Sequence, residues 1–206
     1  MMIEPQLLRA AFCAIAAVLL SAAPLPVAAQ TAGGDYRVGD RLASPAQSGK
    51  AAAYREISWD DLIPADWNPE RFLAELDLDA LEDNDPRAAE AMQRMREEWD
   101  RAPVVERLGG ARVRIPGFVV ALEGDGKSIR EFLLVPYFGA CVHVPPPPAN
   151  QLIHVVPAKP LPAAWNMMPV WVNGVMTVGQ VDSEMGRAGY QLRAVAVEEY
   201  KDPLPR

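Results

Sequence analysis

Four consecutive prolines, Pro145 to Pro148, constrain this 206-residue chain more than any other feature. Proline fixes φ and donates no backbone hydrogen bond, so the run fits neither a helix nor a central strand. It reads as a stiff polyproline II crossover. The flanking residues, Glu131 to Gln151, spell EFLLVPYFGACVHVPPPPANQ. An apolar strand, Ser128 to Val135, leads into Gly139, Cys141 and His143. Asn150 and Gln151 follow the prolines, and Leu152 to Val156 is a second short strand that carries His154. The crossover therefore joins two strands and gathers chemistry. The chain has two cysteines and two histidines, and one cysteine and both histidines fall here.

The rest of the chain divides at Pro103. Before it the texture is helical. Asn68-Pro69 starts a helix that runs to Leu81, with proline at the first helical position. Asp85-Pro86 repeats the device for a helix to Asp100, where Ala88, Ala91, Met92, Met95 and Trp99 form one apolar stripe. Ahead of these, Ser58 is placed to cap a short turn through Asp60 to Leu62. Trp59, Leu62, Ile63 and Trp67 read as an arm packed on the main domain, with an aromatic docking patch as the alternative. After Pro103 the texture is β. Arg112 to Glu123 is a strand with a bend or bulge at Pro116-Gly117. The turn Gly124-Asp125-Gly126 pairs it with Ser128 to Val135. Val170 to Val178 is a strand interrupted by Gly174, Val181 to Gly189 is an acidic loop, and Tyr190 to Tyr200 is the last strand. Helices first and about five bent strands after give an α+β fold: N-terminal helices followed by a small five-stranded OB-like β-barrel. A β-sandwich is the alternative.

The first residues set the compartment. Arg9 precedes the apolar run Ala10 to Leu20, then come Pro24, Pro26 and the small residues Val27-Ala28-Ala29. This is the pattern of a cleaved signal peptide, 1–29. The run is shorter than the roughly 20 residues that span a bilayer. A periplasmic protein with no integral membrane segment after cleavage is expected. A leader, 30–53, a helical arm, 54–102, a β-barrel domain, 103–200, and a tail, 201–206, follow. Cleavage removes one acid, Glu4, and one base, Arg9, so the net charge of −7 is unchanged. Such acidity opposes nucleic acid as a partner. Cleavage also removes Cys13 and leaves Cys141 the single thiol in an oxidising compartment, which calls for burial, a metal, a partner thiol or catalysis.

Particular strings carry a resemblance. RIPGFVVALE (Arg114 to Glu123) and the Glu131 to Gln151 stretch resemble an exported bacterial family of unknown function, DUF3299. WDDLIP (Trp59 to Pro64) and the strand Tyr190 to Tyr200 fit the same pattern, and the likeness spans Ile57 to Tyr200. The resemblance implies an exported protein with a compact β domain. It implies no activity, so the chemistry rests on residues.

Alternate residues of an extended segment share a side. Cys141 and His143 therefore face one way, and His154 on the next strand is placed to join them. Thiolate and imidazole both suit zinc and copper, so Cys141, His143 and His154 form the candidate metal set. Tyr137, Asn150 and Gln151 are the candidate binding residues, the two amides equally suited to holding the proline loop. No cofactor beyond zinc or copper is suggested. Three functions compete. The first is a periplasmic binding or accessory protein that handles a transition metal for a transport system. The second is a metal-free interaction module that docks an envelope or transporter partner. The third is a thiol-dependent enzyme in which His143 activates Cys141, oriented by Asn150, Gln151 or an acid from Asp182 to Glu184. No dinucleotide loop, phosphate loop or Ser-His-Asp order is present, so no catalytic residue is assigned.

Overall fold

Strand β2, Arg112–Gly124, serves two neighbours, and its sequence explains how. Arg112 to Phe118 pairs antiparallel with β6, Pro169–Ser183. Phe118 to Gly124 pairs antiparallel with β3, Ser128–Val135. The partner changes at Phe118, just after Pro116-Gly117. The register with β6 runs unbroken through both residues, and the irregularities of β2 fall at Ala121–Gly124 instead of at the expected Pro116-Gly117 bulge. Gly117 is required, because a Cβ would stand 2.7 Å from the Leu134 side chain and 2.9 Å from the Val135 carbonyl oxygen. The turn after β2 is held by the Asp125 carboxylate, which accepts from Lys127 N at 2.9 Å and Ser128 N at 2.7 Å. These bonds hold the Asp125 carboxyl below the ordinary carboxylate value.

The remaining strands close a ring. β3 pairs antiparallel with β4, Ile153–Pro157. β4 runs parallel to β7, Gly186–Glu199, and β7 is antiparallel to β6. Two strands of two residues, β1 (Arg55–Glu56) and β5 (Leu161–Pro162), extend the sheet at β2 and β3. The sheet is thus seven-stranded and mixed, in the order β1-β2-β6-β7-β4-β3-β5, with β2–β3 closing five long strands on themselves. The chain is α+β. The expected barrel is realised as a five-strand ring that is not formally a barrel. This computed structural model describes residues 36–42, 53–76, 85–140 and 147–201, all within the unit Thr31–Arg206. The expected signal peptide lies outside the described residues, as do 202–206 of the tail.

Two helices precede the ring. In α1, Pro69–Leu76, Asn68 Oδ1 accepts from Arg71 N at 3.2 Å. Residues 77–81 of the longer predicted helix lie outside the described residues. In α2, Pro86–Asp100, the cap Asp85 accepts from Arg87 N at 2.9 Å. Ala91 and Met95 of α2 bury against Leu76, with Phe72 and Trp99 beside them. The helical arm therefore has a small core of its own.

Strand alternation divides the apolar residues between two sides of the sheet. Ile115, Val119, Phe132, Leu134, Val155 and Leu192 fill the ring interior, and Trp59 and Leu62 join them. Trp59 donates from Nε1 to the Pro116 carbonyl at 2.7 Å. The turn that carries it, Asp60–Leu62, is not capped by Ser58. Instead the Asp61 carboxylate accepts from Ser58 N at 2.8 Å and Ser58 Oγ at 3.0 Å. Tyr190 is fully buried, and its hydroxyl accepts from Val105 N at 2.6 Å and donates to the Leu62 carbonyl at 2.7 Å. On the outer side, Phe118, Val120, Leu133, Val135 and Leu152 form a second cluster with Leu42 and Ala140.

The β6–β7 pair departs most from the sequence reading. The expected loop Val181 to Gly189 is mostly strand, and only Glu184 and Met185 separate β6 from β7. Register shifts fall at Asn173/Gly174 and at Val178/Val181. Such irregularities bend and twist a ribbon. Met185, at the hairpin tip, packs against the outer cluster.

Candidate functional site

His154 stands on the outer side of β4, between inward-facing Ile153 and Val155. Its cross-strand partner is Leu133, and Glu131 lies two residues before Leu133 on the same side of β3. This diagonal brings His154 Nε2 to 2.8 Å from Glu131 Oε2. His154 is 9% exposed, and its Nδ1 is buried with no hydrogen-bond partner. The dyad opens into a cleft of about 370 Å³ between the end of β2 and the β6–β7 tip. The cleft is acidic: Glu123, Glu131, Asp182 and Glu184 line it. Arg130 pairs with Glu123 at 2.9 Å, and Arg187 pairs with Asp182. The carboxylates still outnumber the cations, so the site favours a cation or a hydrogen-bond donor and repels phosphate.

Cys141 and His143 lie outside the described residues. Of the metal set, His154 alone is described, and its neighbour there is a carboxylate. Among the described residues no group of three or more His, Cys, Asp or Glu is placed to hold a metal ion. Asn150 and Gln151 are buried and engaged in the fold's own bonds. Asn150 Nδ2 donates to the Pro103 carbonyl at 2.9 Å. Gln151 Nε2 donates to the Trp59 carbonyl at 3.0 Å and to the Asn150 carbonyl at 3.1 Å. These amides hold the strand after the proline crossover to the arm and to the start of the β domain. Their amide nitrogens are engaged within the fold, while Asn150 Oδ1 is buried without a hydrogen-bond partner. Tyr137 forms an isolated antiparallel bridge with Arg41, whose guanidinium sits 5.6 Å from its ring centre.

Glu131 and Glu123 were not singled out by sequence. Glu131 carried one signal, an acid at the head of an otherwise apolar strand. An acid from Asp182 to Glu184 was one of the candidate orienters of the Cys141–His143 pair; Asp182 and Glu184 line the cleft that holds His154 instead. Glu123 reaches the cleft only through the register shift that follows Ala121.

Comparison with known proteins places this architecture. The family model described as "Protein of unknown function (DUF3299)" matches residues 59–199. The crystal structure of a DUF3299 family protein from Pseudomonas aeruginosa PAO1 is 36% identical, with a TM-score of 0.59. The match covers 74% of this chain and 99% of that one. A putative aspartyl-tRNA synthetase from Leishmania major matches over 79% of this chain and 24% of its own, at 13% identity and a TM-score of 0.31, too slight to bear on fold or function. No curated protein matches the chain. With the family pattern spanning the arm, β2 and every later strand, the chain belongs to the DUF3299 family.

Proposed function

We propose that the protein is an exported, periplasmic accessory binding protein, that its ring works as an OB-like barrel, and that its ligand enters the His154–Glu131 cleft. The position of the cleft carries this reading. In barrels of the oligonucleotide/oligosaccharide-binding type, ligands lie on the face of the second and third strands and beside the loop between the fourth and fifth. Counted around this ring from β2, those elements are β3, β4 and the β6–β7 tip, which supply Glu131, His154 and Glu184 to the cleft. Likeness of architecture names no ligand. The chemistry of the lining does: carboxylates select an amine, a guanidinium or a donor-rich group. The signal-like residues Ala10 to Leu20 and Val27 to Ala29 support export.

Titration of the full chain with a tetralysine peptide at low salt tests this. Binding is expected, and the double substitution Glu131→Gln with Glu184→Gln is expected to weaken it about tenfold, or roughly 1.4 kcal/mol. An affinity that ignores both substitutions sinks the cleft as the site.

One observation favours a second reading, transition-metal handling for an envelope transporter. His154 holds a carboxylate on Nε2 and leaves Nδ1 buried and unpartnered. Metal-binding histidines are oriented this way by a carboxylate on the other ring nitrogen. The ligands would be His154 with Cys141 and His143, and the metal zinc or copper. After loading with either ion and dialysis, about one equivalent is expected to stay with the wild type. Cys141→Ser, His143→Ala and His154→Ala should each shed it. A wild-type chain that retains no ion removes this reading.

A further inference from the structure

The outer cluster on β2 and β3 needs a cover, and part of that cover comes from ahead of the family domain. Tyr36 stands edge-on to Phe118, with ring centres 5.3 Å apart at 81°. It also stacks near Phe138, at 6.2 Å and 25°. Six residues on, Leu42 buries in the same cluster. Between them, Gly39 N donates to the Phe138 carbonyl at 2.9 Å, and Phe138 N donates to the Asp40 carbonyl at 3.0 Å. Gly39 has a φ of +94°, and the Asp40 carboxylate accepts from Arg37 N at 2.7 Å, so a tight turn sets the spacing. Arg41 lies over the Tyr137 ring. Tyr36–Leu42 is thus a strap, held by one aromatic ring, one aliphatic side chain, one cation and a pair of backbone bonds.

The strap and its seat fall on opposite sides of the start of the family match. Phe118, Val120, Leu133, Val135 and Phe138 lie within the family match at 59–199, and Tyr36–Leu42 lies before it. The leader showed no apolar period because its contacts rest on single residues rather than on a face.

We propose that this seat is a peptide-docking groove, and that the strap is its occupant in cis. The partner it fits is an extended protein segment with an aromatic residue, a turn, a basic residue and an aliphatic residue in the order Tyr36, Gly39, Arg41, Leu42. Phe118 and Phe138 take the ring, the Phe138 peptide groups pair with the backbone, and the Tyr137 face takes the cation. The strap competes because it belongs to the same chain as the groove, which makes its binding intramolecular. The groove adjoins the His154–Glu131 cleft through Leu122 and Met185, but Phe118, Tyr137 and Phe138 do not line the cleft, so the peptide and tetralysine assays read the two proposals separately.

The test uses the full chain and a labelled peptide of residues 35–43. Wild type is compared with Tyr36→Ala/Leu42→Ala, which weakens the strap and leaves every groove residue in place. The double variant is expected to bind the peptide at least about tenfold more tightly than wild type, and a peptide carrying Tyr36→Ala is expected not to bind. A folded variant that ignores the peptide, or binds it no better than wild type does, overturns the proposal. So does a wild-type dimer that exchanges straps, since the groove would then serve a second copy. Amide exchange in the wild type gives an independent check. Gly39 and Phe138 are expected to exchange at least about a hundredfold faster than core Leu134, through local opening. Exchange at the Leu134 rate, or loss of fold in the double variant, would make the strap an integral layer and overturn the idea.

Discussion

Replacing Tyr190 by phenylalanine is expected to destabilise the fold by about 2–4 kcal/mol, since two buried backbone groups lose their partner at roughly 1–3 kcal/mol each. The Tyr190 hydroxyl bonds Val105 N and the Leu62 carbonyl inside a fully buried site. The ring volume is kept, so the loss reports hydrogen bonding rather than a cavity. Urea denaturation measures it, and a change below about 1 kcal/mol would mean that the two peptide groups find other partners. The pH dependence gives a second check. Burial pushes the Tyr190 phenol up from 10.0 to about 12. A group whose folded value is raised stabilises in full below its unfolded value and loses that contribution as pH rises through the folded one. The advantage of wild type over Tyr190→Phe should therefore narrow between pH 10 and about 12. Parallel stability curves across that window would count against the assignment.

Gly174→Val is expected to cost about 3 kcal/mol or more, at the upper end of the range for overpacking, because backbone lies in the way. A Cβ at Gly174 would meet the Arg193 carbonyl, with its carbon at 2.9 Å and Ala194 Cα at 3.0 Å. No side chain can swing aside there. The position also sits at the register shift between Asn173 and Gly174, where β6 and β7 realign. Relief would require the two strands to part and would move the hairpin tip over the cleft. The expected result is a lower urea midpoint together with weaker tetralysine binding. Unchanged stability would show that the bulge relaxes around the side chain.

The β half was legible because its signals are local. Asp125 with Gly126 marked the hairpin turn, whereas the bulge expected at Pro116-Gly117 falls farther along β2, at Ala121–Gly124. Pro69 after Asn68 and Pro86 after Asp85 marked helix starts for reasons of backbone chemistry. Ring closure was less legible, since it depends on β2 dividing its pairing at Phe118, which no local pattern states. The Val181 to Gly189 segment misled because glycine and acid are turn residues in most contexts. Here Gly186 and Gly189 lie in β7, and at Gly189 a Cβ would stand 2.7 Å from Val104 and 2.8 Å from the Ala149 carbonyl. At the site, His154 was visible as a rare residue, whereas Glu131 became its partner only through the β3–β4 register. Asn150 and Gln151 were legible as amides suited to holding the proline loop, but their acceptors, the Pro103 and Trp59 carbonyls, are distant in sequence and could not be named from it.

The divided strand β2 also orders events in time. Its second half meets β3 across a three-residue turn, a local encounter of the kind that completes in about 1–10 μs. Its first half must wait for β6, which lies beyond the proline crossover, β4 and β5. Contacts between distant segments carry the loop-closure cost that slows folding. Phe118 therefore separates an early hairpin from a late closure, and the cleft, which needs the β6–β7 tip in place, belongs to the last part of the molecule to form.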